Sequence, residues 1–153
     1  MDRADMERAV REAYAVRLTN DIDGILNLFW GDALIRIAGK ANAPALVTGG
    51  RNGGSLRHVV ETLVGNWHWL ETRFFNLLID GNRAATHYSV RARFTPTGEI
   101  LDAELFDFAT LRDGKIAELV EFRDTAAPAR RPPRIDLNGS SGSRRRFDPS
   151  PIN

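Results

Sequence analysis

The chain has no cysteine. That absence excludes a disulfide framework, a thiolate metal site and a cysteine nucleophile, and it fits a reducing compartment. No apolar run approaches the ~20 residues needed to span a bilayer. The opening residues Met1-Asp2-Arg3-Ala4-Asp5-Met6-Glu7 are charged, with no apolar stretch behind a basic start, so they do not read as a secretory signal. The expectation is a cytoplasmic protein without membrane association. Histidine is scarce: His58, His68 and His87 share no ligand-like spacing on one element, and no compact Asp/Glu cluster joins them, so no metal is expected. The glycine-rich stretch 49–54 reaches Ser55 without the lysine of a phosphate-binding loop. No local motif supports a Ser/His/Asp nucleophile.

What is there suits one globular unit. A chain of 153 residues, 42% hydrophobic and 27% charged, lies in the single-domain range and can bury a core. The formal charge of +1 hides an asymmetry. Residues 128–153 carry six arginines (130, 131, 134, 144, 145, 146) against Asp136 and Asp148, a net of +4, which leaves 15 basic and 18 acidic residues, or −3, on residues 1–127. The same segment holds five of the seven prolines and the run Asn138-Gly139-Ser140-Ser141-Gly142-Ser143, without hydrophobic periodicity. The reading is therefore a domain over 1–127 and a basic tail over 128–153, flexible or loosely docked. The absence of aromatic interleaving and of a basic face on the domain argues against nucleic acid as a partner.

Met6, Val10, Ala13, Tyr14 and Leu18 recur at helical spacing, predicting an amphipathic helix over 4–18. Asn20 or Asp21 can cap a short second helix carrying Ile22, Ile25, Leu26 and Phe29. Residues 33–38 read as a strand, and Leu56, Val59, Val60, Leu63 and Val64 predict a third helix starting from Ser55. After Trp67 the period becomes two. Asp80-Gly81-Asn82, Thr95-Pro96-Thr97-Gly98 and Asp113-Gly114-Lys115 punctuate four strands at about 68–79, 84–94, 99–111 and 116–124. The predicted fold class is α+β: three N-terminal helices packed on one face of a strongly curved, mostly antiparallel sheet.

One residue interrupts the apolar pattern. In the strand 99–111 one parity reads Leu101, Ala103, Leu105, Asp107, Ala109, Leu111. A carboxyl group desolvated on such a face has a raised pKa, and a neutral acid can donate to an oxyanion or exchange protons. Equally open is an Asp107 turned to solvent by a frame slip, or neutralised by an arginine in a structural ion pair. On the preceding strand Tyr88, Val90, Ala92 and Phe94 share the parity expected to face the pocket, while His87 lies with Ser89, Arg91 and Arg93. Leu105 and Ala109 flank Asp107 on the pocket wall, and Trp30 and Trp67 are expected at the pocket rim or in the core.

Ala13-Tyr14, the run Asn20-Asp21-Ile22-Asp23-Gly24-Ile25-Leu26-Asn27-Leu28-Phe29, Gly31-Asp32-Ala33, the stretch Phe106-Asp107-Phe108-Ala109-Thr110-Leu111-Arg112-Asp113-Gly114-Lys115-Ile116 and Glu121-Phe122-Arg123-Asp124 together resemble the nuclear transport factor 2-like superfamily. The similarity is to its SnoaL-like polyketide cyclase and ketosteroid isomerase branches, over roughly residues 5–126. It implies a cone with a deep pocket and a homodimer through the outer sheet face, where Phe106 and Phe108 project opposite to Asp107. By the same resemblance Asp107 matches the acid of the isomerases' oxyanion hole and Tyr14 lies near their tyrosine donor. Ile37 stands where they carry the general-base aspartate, which argues against steroid isomerisation by that mechanism. Arg91-Ala92-Arg93 lacks the Arg-x-Asp pairing of limonene-epoxide-hydrolase-like relatives. Asp124 ends the last strand where relatives often carry a pocket carboxylate, on the parity of Val120 and Phe122; the opposite register, with Leu119 and Arg123 inward, stays open. The implied function is a small-molecule-binding protein acting on a hydrophobic substrate by proton transfer as an isomerase, cyclase or lyase, with Asp107, Tyr14 and Asp124 as catalytic candidates and no cofactor. The competing reading is a non-catalytic ligand-binding or association module of the same fold.

Overall fold

A computed structural model of the chain describes residues 1–38 and 54–123. The expected domain boundary near 127, the tail, Asp124 and most of the glycine-rich stretch lie outside the described residues. Helix α1 (Arg3–Leu18) starts where the Asp2 side chain accepts from the Asp5 amide at 2.8 Å and buries Met6, Val10 and Tyr14, one turn apart. Asn20 follows with φ at 57°, a conformation its short polar side chain tolerates. Its amide group accepts from the Trp69 backbone N–H at 2.9 Å and donates to the Trp69 carbonyl at 3.0 Å, tying the end of α1 to the sheet. Helix α2 (Ile22–Leu26) is capped by Asp21 and stops short of Phe29. The reason is tertiary: the Leu28 carbonyl accepts from the Ile116 amide at 2.8 Å, and Phe29 already pairs with Ile116. Helix α3 (Leu56–Asn66), capped by Ser55, buries Val59, Val60 and Val64.

The strands are β1 (Phe29–Ala38), β2 (Trp67–Asp80), β3 (Arg83–Phe94), β4 (Glu99–Arg112) and β5 (Lys115–Arg123). They form one mixed, open sheet in the order β1-β5-β4-β3-β2, in which β1 runs parallel to β5 and the other pairs are antiparallel. The hairpin turns use the left-handed conformations foreseen for them: φ is 60° at Gly81 and 78° at Gly114. Register shifts in β2 at Trp69/Glu71 and Phe74/Asn76 bend the strand beneath α1.

The helices of the described residues lie on one face. α1 packs over β2, while α3 contacts β1, β2 and α2. The core between the layers joins Met6, Val10, Ile25, Ile35, Val59, Trp69, Tyr88 and Val90. On the other face Leu34, Ile100, Phe106, Phe108 and Phe122 are exposed. No helix among the described residues is long and apolar enough to cross a membrane.

Candidate active site

Strand alternation and register bring the site together. Ile37 of β1 pairs with Glu121 of β5, Glu121 with Asp107 of β4, and Asp107 with Thr86 of β3. This row crosses four strands on the face covered by the helices, and Asp107, Glu121 and Thr86 are its buried polar members, at 5%, 6% and 2% exposure. Helix α1 sets Tyr14 above the row, where its hydroxyl donates to Asp107 Oδ2 at 2.6 Å across 93 residues of sequence. Tyr14 is held by aromatic edges: ring centroids lie 5.0 Å from Phe74 and 4.9 Å from Tyr88.

The electrostatics follow from this burial. Asp107 Oδ1 is enclosed with no hydrogen-bond partner, and so is the Tyr88 hydroxyl, which is near enough to favour a charged Asp107 without forming a bond to it. Desolvation, reinforced by the negative charge of Glu121, pushes the Asp107 carboxyl well above the usual carboxylate range against the opposing Tyr14 hydrogen bond. Burial and the neighbouring Asp107 push the Tyr14 phenol far up as well, so it stays protonated as a donor. Glu121 is paired with Arg123, with side chains 8% and 23% exposed. Burial draws the Arg123 guanidinium down, but Glu121 outweighs it and holds the group above its ordinary value.

A cavity of about 100 Å³ opens beside this row. Tyr14, Arg17, Thr86, Asp107 and Glu121 supply its polar wall; Val60, Leu63, Trp69, Ala109 and Leu119 are among its apolar lining. Of the other residues expected around a pocket, Ile37, Tyr88, Val90 and Leu105 are buried in the surrounding core. Trp30 and Trp67 sit apart from the cavity. The Trp30 indole donates to the Arg112 carbonyl at 2.7 Å, with the Arg112 guanidinium 4.5 Å from its ring, and Trp67 lies 4.7 Å from Phe94. His87 is on the outer face, its Nε2 2.6 Å from Glu104. Among the described residues no group of three His, Asp or Glu could hold a metal.

Of the two registers left open for β5, the structure takes the one with Leu119 and Arg123 inward; Phe122, 47% exposed, faces out. A regular hairpin closed at Asp113-Gly114 would set Asp107 opposite Val120. The ladder instead skips Ala117, passing from Leu111↔Ile116 to Thr110↔Glu118, and this one-residue shift delivers Glu121 to Asp107. Sequence reasoning missed Glu121 and Arg17. For Arg17 a signal existed, since it follows Tyr14 by three residues on α1; for Glu121 it lay in its shared parity with Leu119 and Arg123, the register that the bulge at Ala117 selects. Asp124 lies outside the described residues.

The model of a family described as SnoaL-like domain matches residues 10–119. No curated protein matches the chain in sequence. Among solved structures it is similar to a candidate SnoaL-like polyketide cyclase from Jannaschia sp. CCS1, with 14% identity, TM-score 0.64, and 84% of this chain and 94% of that one covered. A candidate isomerase from Bacillus subtilis aligns at 11% identity and TM-score 0.67, over 81% and 89%. An epoxide hydrolase from M. tuberculosis aligns at 15% identity and TM-score 0.62, over 81% and 86%. At these identities the similarity establishes the fold, a helix-covered curved sheet of the nuclear transport factor 2-like type.

Proposed function

Because this chain belongs to the SnoaL-like domain family, whose fold hosts several chemistries, we propose that it binds a small apolar molecule and moves a proton on it without a cofactor, as an isomerase, cyclase or lyase. The observation that carries this reading is Asp107: a carboxyl group buried in the wall of an apolar cavity, fixed through one oxygen by Tyr14 and unpartnered at the other. A protonated Asp107 can donate from Oδ1 to a developing oxyanion, with Tyr14 orienting the group through Oδ2. Glu121, beside it in the sheet and on the same cavity, is the carboxylate available to accept a proton, which gives an acid and a base with different environments in one site. The names of the structural neighbours, a candidate cyclase, a candidate isomerase and an epoxide hydrolase, accord with chemistry of this class.

The non-catalytic alternative draws on a specific observation as well. Glu121 is engaged in an ion pair with Arg123, which gives its carboxylate a structural role. Solvent deuterium incorporation into a panel of apolar ketones and 1,3-dicarbonyl compounds, read by mass spectrometry, separates the two. Catalysis predicts exchange that falls ~100-fold or more in Asp107→Asn and in Glu121→Gln. Compounds that bind yet exchange no faster than in buffer would make this a binding module.

A further inference from the structure

Arg17 places in this wall a charge that the proton-transfer reading does not use. It leaves α1 on the same face as Tyr14, one turn on, and both line the cavity. Its guanidinium bonds go to neutral acceptors, Asn20 Oδ1 at 2.9 Å and the Trp67 carbonyl at 2.8 Å, and it lies 4.6 Å from the Trp69 ring centroid. Among the described residues it forms no ion pair. Of the five N–H donors of an arginine, these bonds occupy two, so donors remain for a ligand. Burial pulls the group down to about 10, partly offset by Glu121, which leaves it cationic at neutral pH.

The charges around the cavity therefore do not cancel. Glu121 is matched by Arg123, and Asp107, crowded by Glu121 and without an ion-pair partner among the described residues, has its ionised form disfavoured by burial. Arg17 is left as one uncompensated positive charge in a largely apolar enclosure. Within a site of low polarity such a charge discriminates strongly between a neutral ligand and an anion of the same shape.

We propose that the cavity receives a small apolar carboxylate, its short alkyl body against Val60, Leu63 and Leu119 and its carboxylate between the Arg17 guanidinium and the carboxylic acid of Asp107. The inference rests on the preceding reading of Asp107 as a neutral acid. Size limits the body: the cavity of about 100 Å³ is smaller than the ~150 Å³ that admits the six-carbon ring of benzene, so an apolar part of roughly four carbons fills it.

Calorimetric titration of the full chain at pH 7 with butanoate and pentanoate, each against its neutral isostere butanamide or pentanamide, tests this. The carboxylates should bind ~10-fold or more tightly than the amides, Arg17→Met should abolish that preference while leaving amide affinity within ~3-fold, and Arg17→Lys should retain most of it. Should Arg17→Met fail to fold because α1 loses its bond to the Trp67 carbonyl, Arg17→Lys and the wild-type ratio decide. Equal affinity for acid and amide in the wild type, a preference that survives Arg17→Met, or no binding of either at millimolar concentration overturns the proposal. If acids and amides bind alike while deuterium exchange still depends on Asp107, the ligand assignment falls and the proton-transfer reading stands. If the acid preference depends on Arg17 but nothing exchanges, the converse holds.

Discussion

Asp107 and Glu121 are direct cross-strand partners on β4 and β5, two carboxyl groups side by side on the buried face of one sheet. Two like charges so placed cannot both be ionised cheaply, and the arginine that could relieve them bonds only one. Glu121 takes Arg123, and Asp107 is left with the Tyr14 hydroxyl. This division of partners governs how the site responds to pH and to substitution.

A carboxyl group whose folded pKa is raised keeps its proton in the native state after the unfolded chain has lost it. Stability from Asp107 is therefore present at low pH and declines as pH rises from about 4 towards the folded pKa, at up to ~1.4 kcal/mol per pH unit. Asp107→Asn removes that slope, so the variant should match the wild type in acid and equal or exceed it near neutrality. Urea unfolding across pH, with carboxyl NMR of Asp107, checks this against the groups that surround it: Tyr14, Tyr88, Glu121 and Arg123. A folded pKa at or below about 3.9, with a less stable variant at pH 7, would show a structurally paired carboxylate instead.

Tyr14→Phe keeps the ring contacts with Phe74 and Tyr88 and deletes the 2.6 Å hydrogen bond. Leaving a buried acceptor unmet should cost ~1–2 kcal/mol in chemical denaturation. The same substitution should raise the Asp107 pKa further, because the bond favours the ionised form. A lowered Asp107 pKa in the variant would contradict this account.

Glu121→Gln should act in two directions at once. It strands the Arg123 guanidinium, at a cost of roughly 2–3 kcal/mol, below the ~3–5 kcal/mol of a fully buried pair because Arg123 keeps 23% exposure. It also removes the negative charge next to Asp107, whose pKa should fall. Unfolding and NMR titration of one variant measure both effects, and an Asp107 pKa that does not move would mean Glu121 carries no charge in the native state.

The outer face should be a dimer interface. Phe106 and Phe122 are cross-strand partners with ring centroids 6.4 Å apart, exposed at 40% and 47%, and Phe108 beside them is 37% exposed. Such a contiguous apolar patch is costly in a monomer. Sedimentation at micromolar concentration should give a dimer that Phe106→Glu dissociates; a monomeric wild type would remove the idea.

Much of this was legible in the chain, and the reasons are local. Asp2, Asp21 and Ser55 cap helices because their side chains reach amides three residues on, Gly81 and Gly114 make turns that need left-handed backbone, and alternation over 99–111 puts Asp107 on the apolar parity of its strand. Periodicity reports the face a residue occupies and is silent on its neighbour across the ladder. Only the tertiary structure decided that Tyr14 meets Asp107 across 93 residues, that β1 returns parallel to β5 to end α2 early, and that a skipped Ala117 exchanges Val120 for Glu121 beside Asp107. A one-residue register shift turns a strand over without altering its sequence pattern, so the chain set Asp107 on an apolar parity but could not choose between the two registers of β5, one of which brings Glu121 beside it.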